Sequence, residues 1–553
     1  MVMNLEAGDW PLLSLLIILP LVGALACALP LFGSKHDQNG SVVKSWSIGV
    51  SLLIVLFLAM LSNFVGEGFV SSGATNVIGK EGLLLGIHET HQWIPSLGIQ
   101  FSLALDGLSF VFCALTAVVT LAVALWGAPQ GVSSRAWHGT LLASEGAVLG
   151  AFLAQDLVLF YVFYEVMLIP VVAGIALWGG VGRLAASYKF ALYTLVGSVL
   201  MFVAILYIGW TARTHGVNSL SLSQLASANL FSAREQLFLG AAFLLAFAVK
   251  VPFVPLHSWL PDTYREAPHG IAAFVAALLG KVGLYGLIRF ALPLFPALFD
   301  SYGETIAMFG AVGVVYGALA AMHQRDIRLL LAFSSISHLG FCILGVAART
   351  PTAVTGAVFQ AVSHGIVTAG LFLLFGHLID VRKSQNFSDF GGLAAKLPRN
   401  AFFLMVFSIA AVALPLTSSF VGEFMILLGS YPVFPVWTWV AMAGVVLGAV
   451  YTLTAYMRVM FGGDRCPDVA SGVDLKGSSI AVASVLAALV IVLGVYPKPV
   501  LSMIRSAVQV GTSGDSTTLG DRASGANVAS FPKNEHFEVA PASFTGTSEI
   551  IRP

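Results

Sequence analysis

Apolar runs of about 20 residues, the length that crosses the hydrocarbon core of a bilayer, follow one another along most of this chain. They lie near 12–32, 44–66, 103–126, 137–154, 156–178, 188–211, 236–256, 268–291, 303–322, 328–347, 353–379, 400–427, 434–458 and 477–504. Fourteen such runs predict an all-α integral membrane protein. Between 137–154 and 156–178 only Gln155 and Asp156 punctuate the pattern. Two stretches fall outside it. Residues 67–102 are polar and aromatic and read as an outer-side loop. Residues 506–553, rich in Ser, Gly, Thr and Ala, read as a flexible tail. No Lys or Arg precedes the first run, which therefore reads as a span and not as a cleavable leader.

Two of the runs carry helix breakers in their middles. In AFLLAFAVKVPFVPLHSW, Pro252 and Pro255 follow Lys250; in AVALPLTSSFVGEF, Pro415 and the Thr417–Ser419 run precede Glu423. Proline removes a backbone donor and clashes with the preceding turn. A broken span survives in lipid only where the freed backbone is buried or lines a polar cavity. The two breaks are five spans apart, so the broken helices run in opposite directions. That spacing predicts two inverted five-helix repeats with an ion site near midplane. The expected organisation is three spans in 1–135, a first repeat in 136–295, a second in 296–460, a last span in 461–505 and the tail 506–553.

Ionisable residues inside these spans are costly, roughly 2.5–3.5 kcal/mol each on insertion scales, yet a series of them occurs. Glu145, Glu165, Lys250, Lys281, His338, His364, His377 and Glu423 all sit within apolar runs. A desolvated lysine holds its proton less tightly, a nearby glutamate restores that hold, and histidine exchanges protons close to neutrality. Glu165, Lys250, Lys281, His338, His364 and Glu423 are therefore candidates for proton translocation, with Glu145, His257 and His377 as further relay candidates. The alternative for each is a packing or ion-pair role. Asp106 is expected to cap the start of its helix.

Composition agrees with the pattern: 58% of residues are hydrophobic and 10% charged, where a soluble domain is about a quarter charged. Lipid must be the solvent. The formal net charge of zero gives no reason to expect a nucleic-acid partner. Four scattered cysteines without a C-x-x-C pair argue against a cluster or zinc site built from this chain alone. No nucleotide-binding loop motif is evident. Loops on one side hold fifteen Lys and Arg, including Lys44, Arg135 and Arg328, against five in the short loops of the other. Positive residues favour the cytoplasm, so both termini are expected on the opposite side.

The segments FYVFYEVMLIP, KVPFVPLHSWLPDTYREAP, LLGKVGLYGLIRF, RDIRLLLAFSSISHLGF, AVSHGIVTAGLFLLFGHL and LPLTSSFVGEF occur in this order. Together they resemble the antiporter-like subunits of proton-pumping NADH:quinone oxidoreductase (complex I), the chain M branch most of all, with Mrp-type cation/proton antiporters as relatives. The resemblance covers roughly residues 100–460. It implies that Glu165 pairs with the central lysine Lys250, that Lys281 connects two half-channels, that His338 and His364 are polar linkers, and that Glu423 is the terminal glutamate. It also implies a bacterial plasma membrane, sister antiporter-like subunits as partners, and no cofactor in this chain, with FMN, iron–sulfur clusters and quinone in partner subunits. The pattern departs where glycine is common and this chain has Leu416 and Ser419. An Mrp-type Na⁺/H⁺ antiporter subunit and a membrane subunit of an energy-conserving hydrogenase share the same core and remain as alternatives.

Overall fold

The computed structural model of the chain describes residues 11–29, 40–65, 86–469 and 473–512. Helices α1 (Leu12–Ala28) and α2 (Ser41–Leu61) come first. A hairpin follows, β1 (Ile87–Ile94) antiparallel to β2 (Ile99–Leu105), turning through Gly98 at φ +70. The expected loop 67–102 is thus partly a two-stranded sheet, while its residues 67–85 lie outside the described ones. The span expected from 103 begins later, because Leu103 and Leu105 still pair with Glu89 and Ile87.

Short acidic side chains start several helices by accepting the free N–H groups of the first turn. Asp106 accepts from Ser109 N–H at 2.9 Å and opens α3 (Gly107–Trp126). Asp156 accepts from Val158 and Leu159 at 2.9 and 3.2 Å, which separates α4 (Ser134–Leu153) from α5 (Leu157–Val166). After Met167 the chain continues as α6 (Leu168–Trp178). Long α7 (Arg183–Thr214) and short α8 (Leu222–Ala228) lead to α9 (Ala233–Lys250), opened by a Ser232–Glu235 capping box.

Helix α9 ends at Lys250; residues 251–258 turn, and α10 (Trp259–Glu266) resumes beyond Pro252 and Pro255. Helix α11 (His269–Gly286) runs into a π-helical segment, Leu287–Ala291, and the single turn α12 (Leu292–Leu294). Three long helices come next: α13 (Pro296–Met322), α14 (Ile327–Ala348) and α15 (Pro351–Arg382). The second break separates α16 (Pro398–Ala411) from α17 (Ser418–Ser430). Within it Ala413 and Leu416 have φ of +58 and +76, a left-handed conformation that costs an L-residue roughly 1–2 kcal/mol. That explains why glycine suits position 416. Helices α18 (Pro435–Met460), α19 (Ser478–Val495) and α20 (Lys498–Thr512) complete the described chain.

The C-terminal end corrects two expectations. The run 477–504 is not one helix: α19 stops at Val495, and Pro497 prevents its continuation into α20. The first residues of the expected flexible tail, 506–512, belong to α20, and residues 513–553 lie outside the described ones.

Among the described residues, ten helices are long and apolar enough to cross a membrane; α1, α16 and α17 are apolar but shorter. Burial divides them. The most apolar windows of α11 and α15 are 100% buried and that of α14 is 89% buried, against 33% for α2 and α18 and 28% for α19. A helix apolar on all sides belongs in the centre, so α11, α14 and α15 form the interior. The outer helices show apolar side chains to the surroundings, such as Val203 and Leu206 of α7 at 56% exposure each, as a lipid solvent requires. Close helix approach rests on small residues: a Cβ on Gly340 would lie 2.7 Å from the Gly310 carbonyl oxygen, so α13 and α14 touch backbone to backbone.

Candidate functional site

The first break ends α9 on a fully buried lysine. Lys250 Nζ donates to the Tyr164 carbonyl at 3.1 Å and sits 3.3 Å from the centroid of the Tyr164 ring. The Tyr164 hydroxyl in turn donates to the Ala246 carbonyl at 3.0 Å, one turn before the lysine. Ring, carbonyl and hydroxyl of one tyrosine thus hold the ammonium against α5. Trp259 Nε1 donates to the Val249 carbonyl at 2.8 Å, satisfying an acceptor that the broken helix leaves free. Glu165 follows Tyr164 in sequence. It is half-buried, and its Oε1 has no hydrogen-bond partner. Among the described residues no carboxylate lies within 4.0 Å of Lys250, so the pairing expected with Glu165 is not a direct contact in this structure.

The turn of α11 carrying Lys281 lies against this broken end. A Cβ on Gly283 would sit 3.2 Å from Lys250 Cβ. Lys281 is fully buried; its Nζ donates to the Ala276 carbonyl at 2.6 Å and to His364 Nδ1 at 2.8 Å. An ammonium has no acceptor, so in this pairing His364 Nδ1 accepts and its proton sits on Nε2. The His364 and His338 rings are 5.3 Å apart, centre to centre. His338 Nδ1 meets Glu423 Oε1 at 2.8 Å, and Gln360 Nε2 donates to the same oxygen at 2.9 Å. A cavity of about 10 Å³ opens beside both imidazoles, lined also by Gln360, Ser334, Thr368 and Ser419. Its size is that of one water molecule. Ser363 Oγ meets Ser418 and Ser419 Oγ at 2.6 and 2.9 Å, tying α15 to the restart after the second break.

The structure therefore joins Lys281, His364, His338 and Glu423 into one polar line across α11, α15, α14 and α17, with the Lys250 end of α9 packed beside its start. The other candidates stand apart. His257 lies in the first break and meets the Tyr316 hydroxyl of α13 at 3.1 Å. His377 meets the Val473 carbonyl at 3.0 Å near the end of α15. Glu145, on α4, accepts from Ser51 Oγ at 2.9 Å.

Sequence reasoning missed three participants. Gln360 is four residues before His364, on the same face of α15, and a lone amide in that apolar run was a readable signal. Tyr164 acts through its backbone carbonyl and ring face, which no residue pattern encodes. Arg289 lies outside the candidate set, yet its Nη2 meets Asp106 Oδ1 at 2.5 Å and its Nε donates to the Tyr285 hydroxyl at 3.1 Å. Its partner Asp106 also caps α3, so the pair fastens the π segment to the start of that helix.

The family model described as "NADH:quinone oxidoreductase/Mrp antiporter, TM" matches residues 154–449, which include both breaks and the polar line. A protein of Rhodobacter capsulatus named NADH-quinone oxidoreductase subunit M is 36% identical over 518 residues, 90% of this chain and 95% of that one. A chain of respiratory complex I from Thermus thermophilus with bound NADH superposes with a TM-score of 0.78 at 30% identity, over 90% of this chain and 99% of that one. A chain of the Mrp complex from Dietzia sp. shares the fold, with a TM-score of 0.74 at 22% identity over 93% and 100% of the two chains.

Proposed function

The chain belongs to the NADH:quinone oxidoreductase/Mrp antiporter membrane family, and on that premise we propose that it is the proton-translocating, subunit M-type chain of a complex I-type assembly. One observation carries the reading. Four protonatable side chains on four helices form a line in the most buried part of the bundle, with contacts of 2.8 Å at both ends and the two imidazoles between them. A scaffold gains nothing from such a line, since each buried charge is costly to insert.

The proposed cycle uses this chain's own groups. Movement of charge near Glu165 alters the hold of Lys250 on its proton, because the ammonium now rests on a neutral carbonyl and a ring face and not on a carboxylate. Lys281 passes a proton to His364 Nδ1, whose ring releases the one on Nε2 toward His338 and Glu423. Gln360 steadies the Glu423 oxygen that receives it. Electron transfer is assigned to partner subunits holding FMN, iron–sulfur clusters and quinone, and sister antiporter-like subunits flank this one. Moving each charge against the membrane potential takes about 2.3 kcal/mol per 100 mV, and that work comes from the partners.

The same proposal includes fourteen crossings, counting α5–α6, α9–α10 and α16–α17 as one each, in two inverted repeats of five centred on the breaks. The location is a bacterial plasma membrane, with the Lys- and Arg-rich loops cytoplasmic. In its support, the first break ends a half-helix on Lys250, and the half-helix that restarts after the second break carries Glu423 in its second turn. The test is Glu165→Gln and Lys250→Ala in the native assembly, with NADH-driven pumping in vesicles measured beside electron transfer and assembly. Pumping and coupled electron transfer should collapse in an assembled complex. Pumping at the wild-type ratio removes the pair from the mechanism. Na⁺/H⁺ exchange without any redox activity would replace the proposal with the Mrp-type reading.

A further inference from the structure

Apart from the central line, a second set of buried polar groups lies between α2 and α4. These helices run parallel and in register. Ser134 Oγ donates to the Gly40 carbonyl at 3.0 Å where both begin, and Ser51 Oγ donates to Glu145 Oε2 at 2.9 Å farther in. Both contacts join residues 94 apart in sequence, so the register holds over the whole interval. The same offset sets Lys44 opposite His138 and Ser47 opposite Leu141. Lys44, Ser47 and Ser51 recur at helical spacing on one face of α2, as His138 and Glu145 do on α4.

Three groups inside this seam are buried and short of partners. Glu145 is 0% exposed, Ser47 0% and His138 1%. Glu145 Oε1, Ser47 Oγ and both ring nitrogens of His138 have no hydrogen-bond partner. Among the described residues no cationic nitrogen lies within 4.0 Å of the Glu145 carboxylate. Buried polar atoms are normally satisfied, and three unsatisfied side chains along one interface call for a ligand. Glu145 is eleven residues beyond Ser134, roughly 16 Å along the helix at 1.5 Å per residue. That is about half the thickness of the hydrocarbon core. The seam therefore leads from the membrane face holding Lys44 and Arg135 to the bilayer's middle.

We infer that Glu145 is a proton-binding site loaded from that face through His138 and the hydroxyls of Ser47 and Ser51, on a route separate from the Lys281–Glu423 line. His138 takes a proton on one ring nitrogen and gives one up from the other. Ser47 and Ser51 each accept one and release their own, and Glu145 ends as the neutral acid, so each transfer is balanced. The ligand is a proton and not a metal cation, because the chain of groups includes imidazole nitrogens and hydroxyls but one carboxylate only. The inference extends the proton-translocating reading without needing turnover for its test.

The test is infrared spectroscopy of the assembled resting complex transferred from H₂O to D₂O. The Glu145 acid carbonyl band is assigned by difference from Glu145→Gln, or by its shift in Glu145→Asp where the glutamine variant does not assemble. The band should exchange in the wild type and exchange at least about tenfold more slowly in His138→Phe, a barrier rise of about 1.4 kcal/mol. Ser47→Ala, the gentler change, should slow it in the same direction. An absent acid band, a band that never exchanges, or equal exchange rates in the wild type and both variants would overturn the inference. Because no step here depends on pumping, loss of pumping in Lys250→Ala leaves this result untouched, and failure of the exchange leaves the central line untouched.

Discussion

Replacing Gly422 by alanine tests whether close backbone packing sets the geometry of the polar line. Gly422 precedes Glu423 on α17 and faces α15. A Cβ there would lie 2.7 Å from both Cα and Cβ of Gln360 and 2.8 Å from its backbone nitrogen, whereas ordinary contact begins at 3.4 Å. The obstructing atoms belong to a buried helix backbone and cannot swing aside, so α17 must move off α15 by about 0.7 Å, a displacement that close-packed interiors resist. The Gln360–Glu423 contact of 2.9 Å would then open to about 3.6 Å, beyond hydrogen-bonding range. The His338–Glu423 contact of 2.8 Å would be strained with it. Losing a hydrogen bond to a charged group is worth about 1.5–3 kcal/mol, so a transfer step that relies on it should slow roughly 10- to 150-fold. The assay is proton pumping in vesicles, normalised to assembled complex. Gly49→Ala on α2 is the control, because a Cβ there meets nothing within 4 Å. Gly422→Ala pumping at the rate of that control, in an assembled complex, would refute the claim that this contact is part of the path.

Two further outcomes follow from the packing. Asp106→Ala leaves Arg289, whose side chain is 12% exposed, without its carboxylate and removes the cap from α3; the expected loss is about 3–5 kcal/mol, read as a lower unfolding temperature of the purified protein. Asp106→Ala combined with Arg289→Leu should recover most of it, and equal losses in the single and double variants would show that the cap and not the pair dominates. All four cysteines are buried, so Cys27, Cys113, Cys342 and Cys466 should resist a maleimide in native membranes and react after denaturation; labelling of any of them in the native state, followed by mass spectrometry, would contradict the packing around it.

Much of this molecule is written in local pattern. The long apolar helices, the caps at Asp106 and Asp156 and the two breaks follow from apolar run length, from short side chains that satisfy free N–H groups, and from prolines that cannot donate. Such effects act within a turn or two of the residue concerned, and so a sequence displays them. What the sequence obscures is local as well as tertiary. Pro497 was there to read, yet a run of apolar residues through 504 hid the division between α19 and α20. The β-hairpin ahead of α3 has strands of mixed polarity that pair with each other, and Leu103 of β2 also bridges the distant Ala154.

What the tertiary structure alone decided is which buried charges meet. Lys281 and His364 are 83 residues apart and His338 and Glu423 are 85 apart, and their contacts depend on how α11, α14, α15 and α17 cross. Those crossings are set by glycines at contact points and by two helix interruptions. The same long-range geometry put Lys250 on the carbonyl of Tyr164 and not on Glu165, joined Arg289 to Asp106, and aligned α2 with α4 so that Glu145 faces Ser51. Charge inside an apolar run told which residues were costly to bury; only the packing of distant helices told which of them share a path.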